Sequence, residues 1–373
     1  MIIGVPKEIK NGEKRVSLIP SSVKELVKNG HTVYVEKNAG SAIGFEDSLY
    51  EAVGAKILDN SAEIYSKSEI IVKVKEPQTG EFALFKTGQT IITYFHLAVE
   101  PELLEVLIKK KITAIAYETI ELPDGSLPLL RPMSEIAGKM SVQIGAQYLQ
   151  IGENSYGTLL GGVAGVMPAE VVVVGAGVVG LNAARVASGM GAHVTLLDIC
   201  PKKLAHAEEV FHGTVATAMS NEYNLKKLIK EADLVISGVL LHSKKAPKLI
   251  TEEMVKSMKK GAVIADVSID QGGIFETIDS PTSIDDPIFE KYGVIHYAVP
   301  NIPGLVARTA SISLNNHILP YVLKFANKGF IAAVKSTPEL YKGVNTYQGK
   351  LTNPEVAKIF GYPFSELSML IGF

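Results

Sequence analysis

The chain has 373 residues, 47% of them hydrophobic, a formal net charge of -2 and one cysteine. That length favours two domains over one core, and a lone cysteine excludes an intrachain disulfide and fits a reducing, cytoplasmic compartment. Charges of both signs are scattered without a basic block, which argues against a nucleic-acid partner, and the start MIIGVPKEIK lacks the layout of a secretory signal.

IIGV, HTVYVE, EIIVKV, TIITYF and TAIAYE read as strands of a first group. PSSVKELVKNG, between the first two, reads as a helix with Pro20 in its first turn and Gly30 at its exit. PELLEVLIKKK repeats that logic from Pro101. Strands separated by helices imply right-handed crossovers and a mostly parallel sheet. SEIAGKMSVQIGAQYLQ reads as a long helix opening at Ser134. Residues 157–181 are apolar over a length that could span a bilayer. Their seven glycines, Pro168, Glu170 and valine core favour loop, buried strand and turn instead, with a membrane span as the alternative. EVVVV, AHVTLLD, DLVISGV, AVIADVSI and GVIHYAV form a second group of parallel-sheet strands. TEEMVKSMKK among them reads as a helix capped by Thr251 and ended by Gly261. From Val306 the pattern turns helical, and Pro320 is expected to kink or end that helix. The remainder carries no strong motif. The expected fold is α/β: two Rossmann-like domains with mostly parallel sheets and an active-site cleft between them.

In VVVVGAGVVG, Gly175, Gly177 and Gly180 give G-x-G-x-x-G after a strand and at the opening of a helix. Gly175 suits the tight turn, Gly177 the close approach of a pyrophosphate, and Gly180 the packing of helix on strand. The phosphates would face the free N–H groups at the helix start. Asp198 ends the next strand, 18 residues past Gly180. A carboxylate there suits ribose hydroxyls and repels a 2′-phosphate, so NAD is expected rather than NADP.

Ligands of open parallel sheets bind at the carboxyl ends of strands. In the second group that position holds Asp270 and Asn301, either of which could equally be an ordinary turn residue. In the first group it holds Arg15, Lys75 and His96. Lys73 and Lys75 are expected on one face of a strand, Lys75 at its mouth. The set suits a small carboxylate bearing a group to be oxidised: arginine clamps the carboxylate, lysine polarises a carbonyl or imine or shares the carboxylate, and histidine moves the proton. No zinc, CxxC or serine-hydrolase motif is present, no metal is expected, and His206 and His212 read as structural or surface residues.

IGVPKEIKNGEKRVSLIP, VKVKEP, TYFHLA, RPMSEIAGKMSVQIGAQYL, LGGVAGV, VVVVGAGVVGLNAARVASGMGAHVTLLD, VIADVSIDQGG and VPNIPGLVARTAS, in that order, resemble the alanine dehydrogenase family. The resemblance runs to about Phe325. It implies NAD-dependent, reversible oxidative deamination of L-alanine to pyruvate and ammonium. It implies His96 and Asp270 as the catalytic pair, and Arg15 and Lys75, with Asn301, as substrate-binding residues. It implies NAD contacts at Ser134, Gly175, Gly177, Val178, Val179, Gly180, Asp198, Ser220, Val239, Leu240, Val267, Ser268, Ile269, Asp270, Ala298, Val299, Pro300 and Asn301. It also implies a catalytic domain of residues 1–128 plus 306–373, an NAD domain of residues 129–305, and a homohexamer. The rival expectations are the NAD(H)-binding component of a proton-translocating transhydrogenase, a saccharopine dehydrogenase, and a non-catalytic NAD-binding sensor.

Overall fold

The computed structural model describes residues 1–152, 154–239 and 246–372. They form two compact units, Met1–Met133 with Val306–Phe373, and Ser134–Leu305.

The first unit holds β1 (Ile2–Val5), β2 (Thr32–Glu36), β3 (Lys56–Leu58), β4 (Ile70–Val72), β5 (Thr90–Thr93) and β6 (Thr113–Ala116). The second holds β7 (Glu170–Val174), β8 (His193–Asp198), β9 (Ala216–Met219), β10 (Leu234–Ser237), β11 (Val263–Asp266), β12 (Ile288–Lys291) and β13 (Val294–Tyr297). The chain then returns to the first unit with β14 (Val344–Tyr347) and β15 (Lys350–Leu351). The first sheet runs β15-β14-β6-β5-β4-β1-β2-β3 and the second β12-β13-β11-β10-β7-β8-β9. Within each, the six parallel strands are wound in one and the same order, 3-2-1-4-5-6 by position along the chain. That is the doubly wound Rossmann arrangement, whose direction reverses beside the first strand. The antiparallel strands β12 and β15 lie at sheet edges, and β14 lies between β15 and β6.

The strands form where β-branched runs are buried on both faces: Val171, Val172, Val173 and Val174 of β7 are at most 3% exposed. The helix Pro20–Lys28 starts on its proline, buries Val23 and Leu26, and gives way to Gly30 at φ 83°. Each of those two side chains contributes about 2 kcal/mol by burial. The expected helix at Ser134 opens three residues earlier, as Arg131–Tyr148, because Pro132 is tolerated in a first turn. Pro320 does not end its helix. Ala307–Lys328 runs through it to Gly329, since losing one N–H costs less than unpacking a face that buries Leu314, Ile318, Val322 and Phe325. Residues 157–181 form loop, β7 and the first turns of a helix, and among the described residues no helix is long and apolar enough to cross a membrane.

Candidate active site

In the first unit Arg15, Lys75 and His96 all lie beyond carboxyl ends of strands. Arg15 is 2% exposed. Glu13 grips it, accepting its backbone N–H at 2.9 Å and Nε at 2.8 Å through Oε1, and Nη2 at 2.6 Å through Oε2. Burial opposes the charge on both groups, and each overrides it for the other: Glu13 ends below the ordinary carboxylate value and Arg15 above the ordinary guanidinium value. The Sδ of Met133 lies 3.4 Å from Nη1.

The expectation of Lys73 and Lys75 on one strand face is corrected. β4 stops at Val72. Lys73 is fully buried between Glu8, at 3.1 Å, and Glu81, at 3.0 Å. Three ionisable groups hidden from water need one another, so Lys73 is part of the framework. Lys75 is half-buried on the loop beyond. Glu8 accepts the Val74 N–H at 2.6 Å, and Thr93 Oγ1 donates to the Lys75 carbonyl at 2.8 Å.

His96 is likewise beyond its strand, three residues past the end of β5, with left-handed φ 52° and ψ 36°. Its ring stacks on Tyr94, centroids 6.2 Å apart and planes 15° from parallel. Burial first and the Lys75 charge second push its pKa down to about 4; Lys10 and Arg15 act in the same direction and Glu76 against it. The imidazole is therefore neutral near pH 7, able to accept a proton. Tyr94 donates to the Leu129 carbonyl at 2.6 Å, and Lys10 pairs with Glu76.

In the second unit the glycine turn joins β7 to the helix Val178–Gly189. Gly175 has φ 105°, donates to Leu197 at 2.6 Å, and sits so close to Gly238 that an added Cβ would come within 2.9 Å of it. A Cβ at Gly180 would come 1.8 Å from the Gly175 carbonyl oxygen. At Gly177 the nearest atom would be 3.9 Å away. Backbone thus closes around Gly175 and Gly180 and leaves open space at Gly177, above the first N–H groups of the helix. That is the cradle a pyrophosphate needs.

Asp198 is 7% exposed at the end of β8. Its Oδ2 accepts the Ala176 N–H at 2.8 Å and its Oδ1 the Cys200 N–H at 2.9 Å. It braces the glycine turn, and a carboxylate's roughly four acceptor positions leave room for a ribose hydroxyl. Ser220 follows β9 and donates its N–H to the Asp198 carbonyl at 2.9 Å. Val239 follows β10 and accepts from Ser268 Oγ at 2.8 Å. Ala298, Val299, Pro300 and Asn301 follow β13; Ala298 and Val299 are buried, and Asn301 is left-handed at φ 57°. Ser134, by contrast, is half-buried on the helix Arg131–Tyr148. Leu240 lies outside the described residues.

Asp270 does not end a strand, contrary to expectation. β11 stops at Asp266, and Asp270 is exposed on the 3-10 turn Val267–Gln271 with Val267, Ser268 and Ile269. Asp266 is the acid that sequence reasoning missed there. Fully buried, it accepts Ser237 Oγ at 2.5 Å and the N–H groups of Ser268 at 3.0 Å and Ile274 at 3.2 Å. Also missed were Glu8, Glu13, Glu118 and Gly138; a Cβ at Gly138 would meet the Val179 carbonyl oxygen at 2.2 Å. The acids carried no signal beyond falling near the strand mouths. Among the described residues no group of three or more His, Cys, Asp or Glu is placed to hold a metal ion.

Fold and strand-end residues together define a doubly wound α/β protein of the dinucleotide-binding type, whose first unit, of the same winding, carries a cationic, histidine-bearing cluster. The chain belongs to the alanine dehydrogenase/PNT family: residues 4–137 match its N-terminal domain and residues 141–354 its C-terminal domain. It is 56% identical over 365 residues to a protein named alanine dehydrogenase from Methanococcus maripaludis, covering 98% of each chain. It is 52% identical over 360 residues to alanine dehydrogenase 2 of Staphylococcus aureus, covering 96% of each. A solved L-alanine dehydrogenase superposes with a TM-score of 0.94 at 47% identity, over 97% of this chain and 99% of that one. A transhydrogenase from Sinorhizobium meliloti superposes with a TM-score of 0.79 at 26% identity, over 95% and 99%.

Proposed function

We propose that the chain catalyses the NAD-dependent, reversible oxidative deamination of L-alanine to pyruvate and ammonium. What carries this reading is the full-length similarity to alanine dehydrogenases together with one local observation: a histidine at a strand mouth held neutral by burial and by the charge of Lys75, with Lys10 and Arg15 acting in the same direction. The transhydrogenase neighbour is more distant on both identity and superposition.

The residues at the open glycine turn fit NAD, held by the N–H groups after Gly177 and by Asp198, Ser220, Val239 and the segments after β11 and β13. When bound it supplies the hydride acceptor. Arg15 and Lys75 take the substrate carboxylate, Arg15 through a guanidinium that Glu13 already holds rigid. That carboxylate offsets the Lys75 and Arg15 charges, which with Lys10 depress His96, so substrate raises the basicity of the imidazole where it is needed. His96 then takes a proton from the water that attacks the iminium, and returns it when ammonium leaves. Asp270 is the second member of the pair, orienting water or amine and balancing positive charge, and Asn301 holds substrate or cofactor.

Purified protein mixed with NAD and L-alanine at mildly alkaline pH is expected to produce NADH. Parallel mixtures with NADP, D-alanine, L-serine or L-glutamate are expected to stay silent. Silence in every mixture, with NAD binding intact, would move the reading to a transhydrogenase component or a sensor. His96→Ala is expected to lower kcat about 100-fold or more with NAD affinity, followed by fluorescence titration, unchanged. A homohexamer is part of the proposal, and sedimentation equilibrium measures it.

A further inference from the structure

The three proposed active residues of the first unit have a common support. Behind Arg15 stands Glu13, behind the Lys75 loop Glu8, and behind His96 Glu118. The third pairing is the most demanding. His96 alone of the three has a left-handed backbone, φ 52°. A residue with a Cβ pays about 1–2 kcal/mol for that conformation unless its surroundings hold it there.

Glu118 does the holding from the next strand. β5 and β6 run parallel with Thr93 opposite Ala116, so Glu118 lies two residues beyond the register pair on one side, as Phe95 does on the other. Its Oε1 accepts the His96 N–H at 2.6 Å and the Phe95 N–H at 3.0 Å, and its Oε2 lies 3.2 Å from the Phe95 nitrogen. Two successive N–H groups converging on one carboxylate fix the direction in which the chain turns. The turn is the one that stacks the imidazole on Tyr94, where Lys75 is the charge that acts on it most strongly. We infer that Glu118 is a positioning residue for His96: by accepting the Phe95 and His96 N–H groups it fixes the left-handed turn that presents the imidazole to substrate. The carboxylate is half-buried, and burial, against those same N–H bonds, raises its pKa to about 7. The inference rests on the alanine dehydrogenase reading.

The test combines a kinetic cycle with a structure. Glu118→Ala is expected to lower kcat about tenfold or more with KM for NAD nearly unchanged. Glu118→Gln, which keeps an oxygen acceptor, is expected to recover most of that loss. In a His96→Ala background the Glu118→Ala change is expected to cost less than about twofold, because the two act as one unit. Equal losses in both backgrounds, or no loss in the first, would overturn the inference. Crystal structures of wild type and Glu118→Ala decide it independently of turnover: His96 is expected to leave the left-handed region, and a turn that stays in place sinks the proposal. If Glu118→Ala does not fold, Glu118→Met, close in size and without an oxygen acceptor, goes through the same cycle and the same structural comparison. Failure of the wild type to oxidise alanine would count against the activity alone, since the structures still judge Glu118.

Discussion

Gly177 and Gly180, one turn apart, should respond oppositely to the same small change. An alanine methyl at Gly180 would run into the Gly175 carbonyl, so Gly180→Ala is expected to cost about 3 kcal/mol in urea unfolding. At Gly177 φ is -82° and the space is open. Gly177→Ala should therefore fold like the wild type and lose NAD affinity, which calorimetry would register. His296 gives a pH-dependent counterpart. It is fully buried on β13, bonded to Thr277 at 2.9 Å, with burial holding its pKa down to about 4. Its unfolded value is near 6.5, so the folded state loses stability as pH falls from there towards 4, by up to about 3 kcal/mol. A His296→Gln chain should show a flatter fall over that window, and a slope equal to the wild type's would refute the assignment.

At the level of strands and turns, Asp266 gathers the ends of β10 and β11 and the loop to Ile274 on one carboxylate. Asp266→Ala would leave three donors without that acceptor. The expected cost is about 2–3 kcal/mol, with faster hydrogen exchange between Ser268 and Ile274. The strands legible in sequence were those whose valine and isoleucine runs are buried on both faces. β3, β9, β12, β14 and β15 were not legible because they lack such runs and lie at or next to sheet edges, where partner strands do the work of sequence. The site was legible to a similar depth. Arg15, Lys75 and His96 stood out by residue type at strand mouths, and the glycine turn by its spacing. Glu8, Glu13, Glu118 and Asp266 did not, because an acid in sequence reads as solvated and only long-range strand register shows it to be buried.

Taken whole, the molecule uses one winding twice. The second unit is continuous in sequence, whereas the first is completed by a return of the chain. The helix Ala307–Lys328 ties that return down: Asn315 accepts the Ile19 N–H at 2.8 Å and donates to the Ser17 carbonyl at 2.8 Å, and Ser311 Oγ accepts from Val16 at 3.0 Å. Residues 131–305 made alone are expected to melt cooperatively and to bind NAD without oxidising alanine. A fragment of residues 1–133 is expected to aggregate, since it exposes the β6 edge and the surface that this helix covers. Light scattering and calorimetry on the two fragments would check both expectations.

The late arrival of β14 gives the protein a timetable. During synthesis β6 emerges more than 200 residues before the strand that pairs with it. The nucleotide-binding unit is delivered and can close in that interval, while the half carrying His96 waits with an open edge. A nascent chain would thus be able to hold its cofactor before it can touch its substrate, and arrested chains of increasing length, probed by brief proteolysis, should become protected in that order.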